Sequence, residues 1–305
     1  MTSTYYQPSG RFTVGGVLSL LLVGAVVALL LAFAYAYAIW YVPFIYLNVV
    51  FTIIFGGALG YVLKKLTKAG KLRNPGLVTW LSLAVAVWAW YAHWAVYITL
   101  LAGAGETESL GSRASFTHTS FDADICLGML LDPAGLLGLL PRIAEEGTWS
   151  VFGVTPSGLF LYLIWLLEFV IIVAVALSWP YSQAKEPFSE LASQWAEKTT
   201  LPQSALAFTD AAATKTALEA ADWAHLQPLP PDAPASPSGR LHLYHAPQDP
   251  ECCYLSLENV TIEHDKDGKP SEKTADVLEY LRLPPHVCQD LHARFGAAAT
   301  PVAAS

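Results

Sequence analysis

The stretch Gly158–Trp179, GLFLYLIWLLEFVIIVAVALSW, decides the fold class of this chain. It is an apolar run of about twenty residues, long enough to cross a hydrocarbon core of about 30 Å as a helix. One carboxylate, Glu168, interrupts the run near its middle. The sequence is strongly apolar before this run and has ordinary charge density after it. We therefore expect a membrane domain followed by a water-soluble domain.

The composition agrees with a membrane protein. Hydrophobic residues make up 54% of the 305 residues and charged residues only 14%. Two soluble domains of this size would carry more charge, spread more evenly. The formal net charge of −8 offers no basic surface for nucleic acid, so nucleic acid is not an expected partner.

Three more spans are predicted before the quoted run. No residue from Thr13 to Leu63 is charged, and one helix of that length would measure about 75 Å, more than twice the hydrocarbon thickness. The chain must fold back, and Trp40-Tyr41-Val42-Pro43 supplies interfacial aromatics and a helix-breaking proline. Gly56 and Gly60 form a GxxxG that permits close helix approach. The predicted helices cover residues 14–39, 44–63, 77–101 and 158–179.

A cleaved signal peptide is the alternative for the N-terminus. The Ala-Tyr-Ala repeats within residues 34–38 mimic a cleavage site, and Arg11 gives a weak basic region. The apolar stretch from Val14 to Ala38 is longer than a typical signal-peptide core, and more apolar sequence follows at once. We therefore predict an uncleaved helix.

Charge around the spans predicts the orientation. Five basic residues and no acid follow the second span, and such an excess favours the cytoplasmic side. Residues 102–157, between the third and fourth spans, carry seven acids against Arg113 and Arg142, which suits the outer side. With four spans, both termini are then cytoplasmic. The topology determinants are Lys64, Lys65, Lys68, Lys71 and Arg73.

The spacing of apolar residues changes in the C-terminal third of the chain. Residues 188–198 and 203–225 are predicted as helices, and a proline-rich stretch covers 227–239. Alternating apolar residues then predict strands at 240–245, 254–264 and 273–283, the last two joined by a turn at Asp265–Lys269. Pro284-Pro285 opens a short helix to Phe295. The pattern predicts a small α+β domain with an antiparallel sheet.

Metal and cofactor motifs are weak. Cys252, Cys253 and Cys288 lack the CxxC spacing of zinc sites, and His242 and His245 would face opposite sides of a strand. The turn at Asp265 places glycine at the wrong position for a calcium loop. The sequence has no GxSxG, phosphate loop or HExxH. We predict no metal and no cofactor, and an enzyme is the least favoured class. Because the three C-terminal cysteines would lie in a reducing compartment, no disulfide framework is expected.

Two side chains stand out as an intramembrane polar site, Glu168 and His93. Counted along the spans at 1.5 Å per residue, they lie roughly 15 and 12 Å below the outer helix ends, close enough to meet if the helices are neighbours. A carboxylate at mid-bilayer costs about 2.5–3.5 kcal/mol on insertion scales, which a partner, water or protonation relieves. The structural alternative is a hydrogen bond that bridges helices.

The predicted architecture is an α-helical membrane domain of four transmembrane helices plus a small cytosolic α+β domain with an antiparallel sheet. The predicted parts are a cytoplasmic tail (1–12), the transmembrane domain (13–181) with its outer segment (102–157), a helical and proline-rich cytosolic connector (182–239), the α+β domain (240–296) and a disordered tail (297–305).

Two classes of function follow. The first is a membrane-anchored interaction or scaffold subunit that binds a protein partner, or a second copy of itself, through the cytosolic domain. The alternative is a small transporter, channel or proton-coupled membrane component that uses Glu168. The N-terminal YYQPSGRF followed by four spans resembles bacterial inner-membrane proteins, which implies a location in the lipid bilayer of that membrane and no activity.

Overall fold

The computed structural model describes residues 4–42, 45–109, 115–147, 155–230, 232–234, 236–266 and 268–296. The chain divides into two compact units. Gly10–Ala184 form one, here called the membrane unit. The other, the sheet unit, combines the N-terminal residues up to Ser9 with the chain from Lys185 onward.

The membrane unit contains six helices and a short antiparallel hairpin in its described residues. In chain order the elements are α1 (Val14–Tyr41), α2 (Ile45–Ala69), α3 (Pro75–Ala102), β1 (Ala104–Ser109), β2 (Ser115–Thr119), α4 (Ala123–Leu131), α5 (Pro133–Glu146) and α6 (Gly158–Lys185). Four of them, α1, α2, α3 and α6, are long and apolar enough to cross a membrane. The prediction of four such helices is confirmed.

Helix α2 is longer than predicted. The apolar pattern ends at Leu63, but the helix continues to Ala69 and carries Lys64, Lys65 and Lys68 in its last turns. Lysine is a good helix former, and its charge is favourable at a helix C-terminus. The loop after α2 is correspondingly short, and α3 begins at Pro75 with the Asn74 side chain accepting from Leu77 N.

The GxxxG of α2 lies against α6. A Cβ atom on Gly56 would come within 3.0 Å of the Ile172 carbonyl oxygen, and one on Gly60 within 3.0 Å of the Val175 carbonyl oxygen. These are backbone atoms that cannot move aside, so only glycine permits the close approach. The predicted close helix approach is confirmed, and it holds the helix that carries Glu168.

The outer segment folds as a bent helix pair. Helices α4 and α5 meet at 105°, and the Asp132 side chain caps α5 by accepting from Gly135 N. Leu136 and Leu140 of α5 are buried in a cluster that includes Trp94 and Trp165. The helix begins at Pro133 and continues past Pro141 to Glu146.

The sheet unit is built around one antiparallel sheet. Its elements are β3 (Phe188–Ser189), β4 (Gln194–Trp195), β5 (Glu197–Thr200), β6 (Ala205–Leu206), α7 (Ala211–Glu219), β7 (Ser238–Ala246), β8 (Asp249–His264), β9 (Pro270–Arg282) and α8 (Pro285–Phe295), with a 3-10 turn at Trp223–His225. The strand order is β5-β7-β8-β9, and β6 also pairs with β7. The predicted hairpin β8–β9 and the helix to Phe295 are confirmed.

The N-terminal residues belong to this sheet. The amide of Tyr6 donates to Tyr280 O, and the amide of Arg282 donates to Thr4 O, both over 2.9 Å. Tyr5 thereby pairs with Leu281 along the outer edge of β9. The sequence predicted only a polar tail here, because a two- or three-residue pairing has no periodicity to detect.

The prediction of a helix at 188–198 is wrong. This stretch forms β3, β4 and β5 instead, and β5 pairs with β7 from Glu197 opposite His245 to Thr200 opposite His242. Phe188 and Trp195 are buried against each other, with ring centroids 5.1 Å apart. Hydrogen bonds offered by the edge of β7 override a weak helical preference. The helix predicted at 203–225 shortens to α7 and the 3-10 turn.

One face of the sheet packs on α8. Leu255 and Leu257 of β8 share a buried cluster with Val287, Leu291 and Phe295 of α8. Cys253 of β8 and Cys288 of α8 form a disulfide across this contact, contrary to the expectation of none. The expectation rested only on the reducing environment of the cytoplasm. The packing of α8 on β8 brings together two cysteines that are 35 positions apart in the chain.

Candidate functional site

A polar cluster lies inside the membrane unit, and each spanning helix contributes one side chain to it. Tyr35 comes from α1, Thr52 from α2, His93 from α3 and Glu168 from α6. Counted at 1.5 Å per residue, the four positions lie roughly 9–15 Å from one end of their helices, the end at which α3 leads into β1 and α6 begins. The cluster therefore occupies that half of the helical bundle.

Hydrogen bonds connect three members of this cluster. The Tyr35 hydroxyl donates to Glu168 Oε1 over 2.6 Å and lies 3.0 Å from Thr52 Oγ1. Thr52 Oγ1 in turn lies 2.7 Å from the carbonyl oxygen of Asn48, one helical turn earlier. A chain of hydroxyl groups thus leads from the carboxylate to the backbone of α2.

The structure brings Glu168 and His93 together, as the depth argument expected. His93 Nε2 lies 3.6 Å from Glu168 Oε1, and the Glu168 side chain is 16% exposed. This distance is slightly longer than a direct hydrogen bond and lies within the range of an ion pair. His93 is 1% exposed and meets the Tyr35 ring edge-on.

Aromatic side chains enclose the histidine. Trp90 and Trp94 on α3 flank His93 with centroid distances of 6.2 and 5.2 Å, and Trp165 of α6 contacts Trp94 at 4.7 Å. The indole Nε1 atoms of Trp90 and Trp94 are buried and have no hydrogen-bond partner among the described residues. Buried donors of this kind usually bind water or a polar group. These tryptophans therefore form a wall of the polar cluster.

Two members of the cluster, Tyr35 and Thr52, were not anticipated. Tyr35 lies in the Ala-Tyr-Ala repeats that mimic a cleavage site, and Thr52 is a small hydroxyl residue in an apolar helix. Neither carries a local signal of function. Only the inward-facing position shows their role: Tyr35 is 4% exposed and Thr52 3%.

The predicted topology determinants occupy different settings. Lys64, Lys65 and Lys68 extend from α2, and Lys71 and Arg73 lie in the following loop. Arg73 is 8% exposed; its Nε donates to Lys71 O, and its backbone amide donates to Arg11 O. Arg73 therefore also ties the loop to the segment that precedes α1.

The cysteine and histidine residues considered for zinc do not converge. Cys253 is bonded to Cys288, Cys252 lies on the opposite face of β8, and His242 Nδ1 lies 2.9 Å from Thr200 Oγ1. Within the described part of the chain, no three His, Cys, Asp or Glu side chains come close enough to hold a metal ion.

The chain matches no protein-family model, no curated protein and no solved structure in the three comparisons.

Proposed function

We propose that this protein is a proton-coupled membrane component in which Glu168 takes up and releases the proton. The observation that supports this function best is the cluster of polar side chains around Glu168 of α6: Tyr35 of α1 and His93 of α3 lie against the carboxylate, and Thr52 of α2 is connected to it through Tyr35. Ionisable residues inside membrane helices are costly and usually mark ion or proton pathways. A carboxylate needed only for packing would not require such a cluster.

The cluster accommodates both protonation states of Glu168. When the carboxylate is ionised, Tyr35 donates to it and Thr52 donates to Tyr35. When the carboxyl group is protonated, its O–H donates to Tyr35, Tyr35 donates to Thr52, and Thr52 donates to Asn48 O. Each hydroxyl has one hydrogen to give, so the whole chain reverses direction with a single proton. His93 Nε2, 3.6 Å from Glu168 Oε1, needs only a small side-chain movement to form a direct hydrogen bond and exchange that proton with Glu168.

For orientation, we propose the bacterial inner membrane with both termini in the cytoplasm. The basic residues after α2 support this side. The pairing of Tyr5 with Leu281 supports a common side for the two ends, because residues in one sheet cannot lie on opposite faces of a bilayer. The disulfide between Cys253 and Cys288 is the feature that tests this assignment, since cytoplasmic thiols are kept reduced.

A membrane-anchored interaction subunit is the second candidate. The β8–β9 hairpin extends past the start of β7, since Ser238 of β7 is opposite Val260 and the strands continue pairing to His264 and Pro270. This end of the ribbon is exposed and carries charges of both signs, as at Glu263 and Lys273. Such a ribbon offers a surface to a protein partner or to a second copy of the chain.

Infrared spectroscopy of the full chain in lipid vesicles tests the first candidate. The carbonyl band of a protonated carboxyl group should change in intensity as the pH is varied, and this change should be missing from Glu168→Gln. Proton uptake into the same vesicles, followed with a trapped pH dye, should fall in Glu168→Gln and Tyr35→Phe. Glu146→Gln, on the exposed end of α5, is the matched control.

Two outcomes would contradict this function. If Glu168→Gln leaves both the infrared band and proton uptake unchanged, Glu168 does not titrate. If Glu168→Gln and the unmodified chain behave alike while Glu168→Leu fails to assemble, the carboxyl group is a structural hydrogen-bond acceptor, and the interaction-subunit candidate is favoured.

A further inference from the structure

The sheet unit contains a cleft that the function proposed above does not use. Its volume is about 330 Å³, at the lower end of the range for small-molecule sites. The lining comes from three parts of the chain: the N-terminal residues up to Ser9, the β3 region up to Leu191, and the adjoining ends of β8 and β9. Such convergence of distant segments gives a defined shape.

Aromatic rings form one side of the cleft. Tyr6 and Tyr254 meet edge-to-face with centroids 5.3 Å apart, and both rings are only half-buried. Tyr5 also lines the cleft, and its hydroxyl donates to Glu219 Oε1 over 2.8 Å, which holds the ring in place. Tyrosine rings attract cations to their faces through the ring quadrupole.

The other side of the cleft is negatively charged. Glu190, Asp249 and Glu251 line it together with one basic side chain, Arg282, which gives three carboxylates against one guanidinium and a formal charge of −2. Arg282 Nη2 lies 3.5 Å from Glu251 Oε2, a distance too long for a strong charge-assisted bond.

Asp249 is held in a fixed position at the cleft. The Ser189 hydroxyl donates to its Oδ2 over 2.6 Å, and Ser189 itself is 2% exposed. The other carboxylate oxygen keeps its capacity to accept from a ligand. A fixed carboxylate beside half-buried rings is the arrangement that binds organic ammonium groups.

A buried free thiol forms part of the floor of the cleft. Cys252 is a free cysteine, 5% exposed, and its side chain lines the cleft. Burial, and next the charge of Asp249, raise the pKa of this thiol to about 11, so it stays neutral at physiological pH. A neutral thiol neither repels nor neutralises a cation, and it offers a polarizable floor for methyl or methylene groups.

We propose that this cleft binds a small organic cation, an ammonium group on a compact apolar frame. The carboxylates of Asp249 and Glu251 recognise the charge, and the rings of Tyr6 and Tyr254 contact its alkyl groups. The ligand has two sources: a dissolved amine, or the headgroup of a lipid. The second is included because the N-terminal lining residues come five residues or fewer before Gly10 and Phe188 comes three residues after the end of α6.

Calorimetric titration of the full chain with choline, in a maltoside detergent that contains no ammonium, tests this site. Choline should bind, whereas its uncharged isostere 3,3-dimethylbutanol and the anion acetate should bind at least about tenfold more weakly, because both the charge and the ring contact are needed. Equal binding of choline and the isostere, or no choline binding, overturns the proposal.

Variants locate the site. Asp249→Asn keeps the hydrogen bond with Ser189 but removes a charge, and should weaken choline binding about five- to tenfold. Arg282→Gln removes the competing cation and should tighten it. Glu263→Gln, on the distant hairpin, is the matched control and should change nothing. Tyr254→Leu should also weaken binding, provided circular dichroism shows an intact sheet. If Asp249→Asn and Arg282→Gln both bind choline like the unmodified chain, the cleft is not the site.

Nanodiscs distinguish the two sources. If phosphatidylcholine nanodiscs suppress choline binding and phosphatidylglycerol nanodiscs do not, the headgroup occupies the cleft. If binding is the same in both, the ligand is a dissolved amine. Both results support the cleft as a cation site, and neither depends on whether Glu168 titrates.

Discussion

The hydroxyl of Tyr35 on α1 donates a hydrogen bond to Oε1 of Glu168 on α6 over 2.6 Å, in the interior of the membrane unit. The two residues are 133 positions apart in the chain. This bond joins the first spanning helix to the last, and Phe55 stacks parallel on the Tyr35 ring at 4.7 Å, which fixes the orientation of the donor. The energetics of the bond are open to measurement.

A double-mutant cycle of Tyr35→Phe and Glu168→Gln should show coupling. Each single change removes the charge-assisted bond, and membrane hydrogen bonds contribute about 0.6–1.7 kcal/mol. The double variant should therefore be less destabilised than the sum of the two. Unfolding in mixed detergent micelles measures the free energies. Tyr46→Phe, at an 86% exposed position of α2, is the control and should lose nothing. Strict additivity would show that the bond contributes no stability.

The contact between α2 and α6 should depend on Gly60. A Cβ atom at this position would lie 3.0 Å from Val175 O and 3.1 Å from Ala176 Cα, so Gly60→Ala should destabilise the bundle by about 1–3 kcal/mol. In Gly57→Ala, the new Cβ would meet only Val175 Cγ1 at 4.0 Å, an ordinary contact. Thermal unfolding in detergent should separate the two variants. Equal melting temperatures would contradict the observed packing.

Cysteine labelling in intact cells should establish the orientation. The natural Cys126 on α4 is 4% exposed, so it is a poor reporter of the outer face. The substitutions Glu145→Cys, at an exposed position of α5, and Glu263→Cys, at an exposed position of the β8–β9 hairpin, introduce better reporters. A membrane-impermeant maleimide should label the first and not the second. The reverse pattern would mean that the basic residues after α2 do not face the cytoplasm.

The disulfide makes a separate prediction. Protein purified in air, then unfolded and alkylated, should take label on Cys126 and Cys252 only, and on all four cysteines after reduction. Replacing Cys288 by alanine should cost the oxidised protein about 2–4 kcal/mol and the reduced protein much less. In cells quenched with acid at harvest, Cys253 and Cys288 keep the redox state that they had in the living cell. A disulfide that is fully formed in such cells would place the sheet unit in an oxidising compartment.

Stability of the sheet around His242 should decrease in mild acid. Burial, and next the charge of Lys198, lower the pKa of His242 below its ordinary 6.5; Arg240 also lowers it, and Glu258 opposes the shift. The unfolded chain therefore binds a proton first, and this contribution to stability, present above pH 6.5, is lost as the pH falls through the lower folded pKa. Amide hydrogen exchange in peptides from β7, corrected for the pH dependence of the intrinsic rate, should show this loss of stability as weaker protection at mildly acidic pH. A His242→Gln variant with the same pH dependence would contradict this assignment.

Much of the architecture could be predicted from the sequence because hydrophobic runs and alternation are local. The span around Glu168, the neutral stretch from Thr13 to Leu63 and the apolar run at 77–101 were sufficient to predict four membrane helices, since each must satisfy its backbone internally. The hairpin β8–β9 and the Pro285–Phe295 helix followed from period and proline position. The similar distances of Glu168 and His93 from the ends of their helices could also be predicted, because the rise per residue of an α-helix is constant.

Only the tertiary structure decided which side chains meet. Tyr35 and Thr52 carry no local mark, and they join Glu168 because helix packing turns one face of each span inward. Residues 188–198 became strands because β7 offered unpaired backbone groups, and Cys253 met Cys288 because α8 packs on β8. Long-range pairing depends on the whole packed arrangement and on no single segment. The sequence alone therefore determined the helices and their depth, and packing determined the polar cluster, the cleft and the disulfide.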